Sequence, residues 1–195
     1  LMNKPHDTGG RWPIAAQAGM DGVRAADRIH TVLVSGDGWS GAWSWAQNND
    51  TFSVNDPANN IMYEAHQYFD ADSSGAYAHS YDAEGAYPAV GVDRVKPFVN
   101  WLKQHRVRGF VGEYGVPDAD ARWLTVLDNF LSYLDANGIG ASDRPSSSAM
   151  ALPAGSFSLH HELAIHRSAP NNASHRRVGI GLNYMPTHTR LEGPV

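Results

Sequence analysis

The first 140 residues alternate between short apolar runs and longer stretches with a helical period. Residues 14–30 are Ala-rich, with Ile14, Ala18, Val23 and Ile29 spaced for one inward helix face. Residues 31–35 (TVLVS) are apolar and β-branched, the pattern of a strand buried on both faces in a parallel sheet. Residues 60–66 (NIMYEAH) and 109–113 (GFVGE) read as two further strands. Between them, residues 93–104 place Val95, Phe98, Val99 and Leu102 at helical spacing. Residues 118–137 predict an amphipathic helix through Trp123, Leu124, Leu127, Phe130, Leu131 and Leu134, stopped by Asn137-Gly138. Strands that alternate with helices predict βαβ units, a parallel sheet and the α/β class.

In such folds functional side chains gather at the C-terminal ends of strands. Those ends here carry Asn3-Lys4, Ser35-Gly36, His66 with Tyr68, and Glu113. Their separations, about 30 to about 47 residues, suit successive βα units of a barrel. A complete (β/α)8 barrel needs about 200 to 250 residues, whereas the pattern covers only the first 140 or so. The expectation is therefore a partial (β/α)8 barrel over residues 1–141, roughly strands four to seven. The opening pair Leu1-Met2 reads as the end of a strand that begins before it, and no signal-peptide pattern is visible. A half-barrel exposes two sheet edges and an inner face, which calls for a partner or for self-association.

Composition narrows the field. Hydrophobic residues make up 42% of the 195, enough for a real core. Lys and Arg total 15 against 20 Asp and Glu, for a net charge of −5, so the electrostatic footprint of a nucleic-acid binder is missing. No apolar run approaches the roughly 18 residues of a membrane span. Cysteine is absent, which removes disulfides, thiolate chemistry and Cys-based zinc sites. Ten His, six Trp and eight Tyr can furnish a polar, aromatic-lined site on loops.

Four stretches carry a family resemblance: LMNKPHD, LVSGDGWSGAWSW, DPANNIMYEAHQYFDADSSG and GFVGEYGVP. In this order and at barrel spacing, they make residues 1–140 resemble the C-terminal part of a glycoside hydrolase family 5 endoglucanase. The resemblance implies a (β/α)8 barrel, retaining cleavage of β-1,4-glucan, no metal or other cofactor, and a secreted, extracellular enzyme. It implies Glu113 as nucleophile, His66 and Tyr68 as the residues that orient it, and Asn3 as the holder of the sugar 2-hydroxyl. Trp39 and Trp43 are implied as substrate-binding aromatics, although Trp39, Trp43 and Trp45 are equally open to a packing role.

One position departs from the family. Lys4 stands where the acid/base Glu belongs. Retaining hydrolysis uses two carboxyl groups about 5 to 5.5 Å apart, one a nucleophile and the other a proton shuttle. A lysine, with an ordinary pKa of about 10.4, is a poor proton donor to a leaving oxygen near neutral pH. Next to Glu113 it is also expected to form an ion pair and lower the pKa of that carboxyl. The expectation is an impaired hydrolase.

The chain then changes character. Residues 142–149 are Ser/Pro-rich and read as a linker. Residues 150–195 are expected to form a short, mostly β appendage. Residues 154–190, with five of the ten His, resemble the C-terminal strands of the phytanoyl-CoA dioxygenase family. That resemblance implies His166 as an iron ligand and Arg177 as the partner of the 2-oxoglutarate carboxylate. The remaining His and carboxylate of an Fe(II) site have no counterpart in the sequence, which marks this region as a fragment and the chain as a composite. The rival functions are thus an Fe(II)/2-oxoglutarate oxygenase and a non-catalytic carbohydrate binder. Asp70 to Asp72 read as solvated surface rather than a calcium loop. His160 and His161 read as ordinary histidines, and Asn172-Ala173-Ser174 is a weak glycosylation sequon.

Overall fold

Four strands lie side by side in chain order, all parallel, in a computed structural model that describes residues 2–141. They are β1 (Val32–Ser35), β2 (Ile61–Gln67), β3 (Gly109–Tyr114) and the two-residue β4 (Gly140–Ala141). Helices α1 (Trp12–Ala26), α2 (Trp45–Asn49), α3 (Val90–His105) and α4 (Arg122–Ala136) fill the connections. This is the parallel sheet and helix layer of a partial (β/α)8 barrel. No strand precedes β1 among the described residues, because residues 2–11 form turns and bends. The fourth strand is instead Gly140–Ala141, so the strand run starts one unit later than the sequence pattern predicts. Asn3 and Lys4 sit in a loop. The linker (142–149), the appendage (150–195), His160, His161, His166, Arg177 and the Asn172 sequon lie outside the described residues.

The two sheet faces divide the labour. Val34, Tyr63, Ala65 and Val111 are buried in one core with Ala16, Met20, Trp45, Phe98, Val99, Phe130 and Leu134 from the helices. Aromatic edges lock this layer: Trp45 meets Phe98 and Trp101, and Tyr63 meets Phe52 and Trp101. The alternate residues Ser35, Glu64 and His66 belong to the other face.

The inward face of α1 differs from the expected one. Trp12, Ala16, Met20 and Arg24 are buried, while Ile14, Ala18 and Ile29 are exposed. A strict i, i+4 row is the true inner stripe, and it ends on a charge. Arg24 pairs with Asp56 (2.7 Å) and also donates to the Asn60, Asp27 and His30 carbonyls. The apolar score of Ile14 and Ile29 misled because Arg24, fully satisfied by this network, takes a core position instead. In α4, Trp123, Val126, Phe130 and Leu134 are buried and Leu124 is exposed. Helix α3 starts at Val90, three residues before the predicted start, and accommodates Pro97 inside it.

Candidate active site

Strand β2 and the residue just past its end carry three polar residues at alternate positions, Glu64, His66 and Tyr68. Period-two geometry sends them to one side of the sheet. Bringing Glu113 to that same side requires an irregularity. Up to Ala65↔Val111 the β2–β3 register is regular, and it then slips by one residue so that His66 pairs with Glu113. Without the slip Gly112 would face His66, and Glu113 would fall on the helix side. A Cβ on Gly112 would lie 2.3 Å from Glu64 Oε1, so any larger residue at the slip would force the Glu64 carboxylate to shift.

Glu113 is thereby surrounded. The Tyr68 hydroxyl donates to its Oε1 (2.9 Å), and Lys4 Nζ donates to the same oxygen at 2.6 Å. His66 Nδ1 lies 3.8 Å from Oε2. Lys4 keeps 42% of its side chain exposed and Glu113 22%, so the pair faces solvent from the strand ends. Burial is the largest influence on the Glu113 carboxyl and pushes it up. The hydrogen bond from Lys4, the neighbouring His66 and the Tyr68 hydroxyl together outweigh burial, and the group ends below its ordinary range. Burial and the Glu113 acceptor push the Tyr68 phenol far up, which keeps it a hydrogen-bond donor.

A cleft of about 450 Å³ opens over this group, lined by Lys4, Trp39, Trp43, His66, Tyr68 and Glu113 among others. Its wall is the loop after β1. That loop is stapled to β2 through the His66 backbone, which donates to the Ser40 carbonyl (2.8 Å) and accepts from Ala42 N–H (2.9 Å). Trp39 and Ser40 both take left-handed backbone (φ +57° and +58°), an unusual conformation for these residues that turns the Trp39 ring outward. One face of Trp39 stacks on His6 (4.6 Å between centroids), and the Arg94 guanidinium sits 4.5 Å over Trp43. The third tryptophan of the motif, Trp45, is fully buried core. Asn3 is exposed and is not among the residues lining the cleft.

The acidic loop after β2 is solvated surface only in part: Ala71 and Asp72 are exposed, whereas Asp70 is not. Asp70 is buried and accepts from the Gly75 and Tyr77 N–H groups and the Ser74 hydroxyl, each at 3.1 Å. Gly75, at φ +82°, lies so close to Tyr68 that a Cβ would meet its ring at 2.9 Å. Arg94 donates to the Asp70 and Tyr68 carbonyls from below. The loop is thus a bracket for Tyr68. Sequence reasoning also overlooked Glu64, although its alternation with His66 and Tyr68 was a readable signal. Arg94 gave none, because its role depends on where α3 lands. Among the described residues no group of three or more His, Asp or Glu is arranged to hold a metal ion.

The family model "Cellulase (glycosyl hydrolase family 5)" matches residues 1–142. Among curated proteins, endo-beta-1,4-glucanase B of Aspergillus niger is 37% identical over 122 residues, covering 62% of this chain and 35% of the relative. Endoglucanase gh5-1 of Neurospora crassa is 36% identical over 123 residues, covering 62% and 30%. The solved endoglucanase Cel5A of Pseudomonas stutzeri is 43% identical with a TM-score of 0.68, covering 72% of this chain and 44% of that one; its complex with cellobiose is also solved. The chain spans about a third of the length of the curated relatives it matches. The family match runs through every strand of the sheet and through the Glu113 site built on it, and on that ground the chain belongs to glycosyl hydrolase family 5.

Proposed function

We propose that residues 1–141 form the C-terminal half of a retaining endo-β-1,4-glucanase site that Lys4 holds in an impaired state. The observation that carries this reading is Glu113 at the end of β3, gripped by Tyr68 on one oxygen and paired there with Lys4. In this reading Glu113 attacks the anomeric carbon of a β-1,4-glucan, Tyr68 orients the attacking carboxylate, and His66 backs it. Trp39 and Trp43 stack on sugar rings at the cleft wall, and the 2-hydroxyl role that the family resemblance implies for Asn3 requires this residue, outside the cleft lining here, to turn toward the sugar. The ammonium of Lys4 both occupies the attacking oxygen and lacks the proton-shuttling range that the leaving group needs. Loss of general acid/base assistance alone typically costs about 10² to 10⁴ in rate. Solved structures of similar proteins in complex with cellobiose and with cellopentaose support a β-1,4-glucan substrate.

The test is reducing-sugar release from soluble carboxymethylcellulose by Lys4→Glu beside the unmodified chain. Activity gained by Lys4→Glu and abolished by Glu113→Gln supports the reading. No release from Lys4→Glu rejects it and leaves non-catalytic binding as the stronger function. That second reading draws on the exposed Trp39 and Trp43, which remain available to a sugar ring whatever stands at position 4. It expects retention on cellulose that Trp43→Ala abolishes. Self-association belongs to the same proposal. A groove of about 730 Å³, lined by Leu33, Met62, Phe110 and Ile139 among others, lies at the opposite end of the sheet and leaves apolar surface to cover.

A further inference from the structure

We propose that Glu64 is a positioning residue of the Glu113 site and acts on it through His66; this rests on the reading of Glu113 as the reacting carboxylate. Glu64 and His66 are each only 5% exposed. A buried carboxyl needs donors for both oxygens. The Ser35 hydroxyl supplies one, donating to Oε2 at 2.9 Å. The other oxygen, Oε1, stands 2.7 Å from His66 Nε2. Neither ring nitrogen of His66 has a well-aligned hydrogen bond; the 2.7 Å separation carries more weight, because a small rotation of the imidazole restores alignment without moving the backbone.

The consequence is directional. With Nε2 committed to Glu64, the ring can only turn Nδ1 toward Glu113, and Nδ1 is the nitrogen found 3.8 Å from Oε2. The result is a chain from Ser35 through Glu64 and His66 to Glu113 that crosses three strands. Two features protect it. Gly112 leaves open the space into which Glu64 Oε1 fits, with 2.3 Å to the position of an absent Cβ. The Ser40 hydroxyl donates to the Glu64 carbonyl, fixing the strand at that residue. Glu64 is not among the residues lining the cleft, so its effect on the site passes through the imidazole.

The decisive measurement uses the unmodified chain with ¹⁵N-labelled histidine. The expected His66 signature is a proton on Nε2 in slow exchange with solvent, and a bare Nε2 overturns the proposal. Glu64→Gln and Gly112→Ala, which displace the same contact by different means, are each expected to speed exchange of that proton. Unchanged exchange in either folded variant also overturns it. Placed on Lys4→Glu, Glu64→Gln is expected to lower kcat by about 100-fold with KM within about twofold, the size of effect that follows a misplaced catalytic group. If Lys4→Glu itself is inactive, the hydrolase reading fails while the ¹⁵N result still decides the role of Glu64.

Discussion

At the scale of single residues, the proposed function turns on position 4. Glu113 has the strand-end placement, the tyrosine donor and the nearby imidazole that its motif implies, and the expected ion pair with Lys4 forms at 2.6 Å. Because that contact lowers the Glu113 carboxyl while burial raises it, Lys4→Met is expected to raise the Glu113 pKa, read by ¹³C NMR of the side-chain carboxyl. A pKa that stays or falls denies Lys4 its hold on this carboxyl. Glu113, His66 and Tyr68 were singled out in the sequence because each stands in a short motif at a strand end, and Lys4 because it departs from the family pattern. Asp70 and Arg94 were not, since buried polar brackets are recognised by their partners and those partners are distant in sequence.

At the scale of elements, the periodic pattern located α1, α3, α4 and the three longer strands, missed the short α2, and misjudged some of the residues that face inward. Leu124 and Phe130 both look like inner-face residues of α4, yet Leu124 is 58% exposed and Phe130 fully buried between Phe69 and Tyr114. Phe130→Ala is expected to cost about 3–5 kcal/mol in denaturant unfolding, and Leu124→Ala under about 0.5 kcal/mol. Similar losses for both would mean that α4 packs by a different face. The β-bulge at Gly112 was invisible for another reason: a one-residue slip in pairing register leaves no trace in hydrophobic alternation. Yet this slip moves Glu113 to the polar face, so the geometry of the candidate site depends on a backbone irregularity more than on strand propensity.

For the whole molecule, the described residues form half of a barrel whose polar strand ends carry the site and whose opposite end leaves apolar surface. The half-barrel was legible because strand-end spacing and total length both limited the count. The short β4 was missed because two residues form no pattern. One long-range tie fixes α1 to the turn before β2: the Arg24 hydrogen bonds and backbone N–H donors hold Asp56 far below the usual carboxylate range. A depressed carboxyl stabilises the fold at pH above its unfolded value, about 3.9, and that contribution disappears as pH falls through the folded value. Acid unfolding of Asp56→Asn is therefore expected to show a shallower pH dependence below about pH 4 than the unmodified chain. An unchanged acid limb would contradict the role given to this pair. Sedimentation velocity is expected to show a species larger than the monomer, which Met62→Asp dissociates; a monomer at all concentrations would contradict self-association.

The central claim, that Glu113 is a competent nucleophile restrained by Lys4, is tested most directly by its covalent reactivity. Lys4→Glu and the unmodified chain would each be incubated with a 2-deoxy-2-fluoro-β-cellobioside bearing a good leaving group, then read by intact and peptide mass. The account predicts a glycosyl adduct on Glu113 that forms readily in Lys4→Glu and far more slowly in the unmodified chain. No adduct in Lys4→Glu, an adduct on another residue, or equal rates in both chains would contradict it.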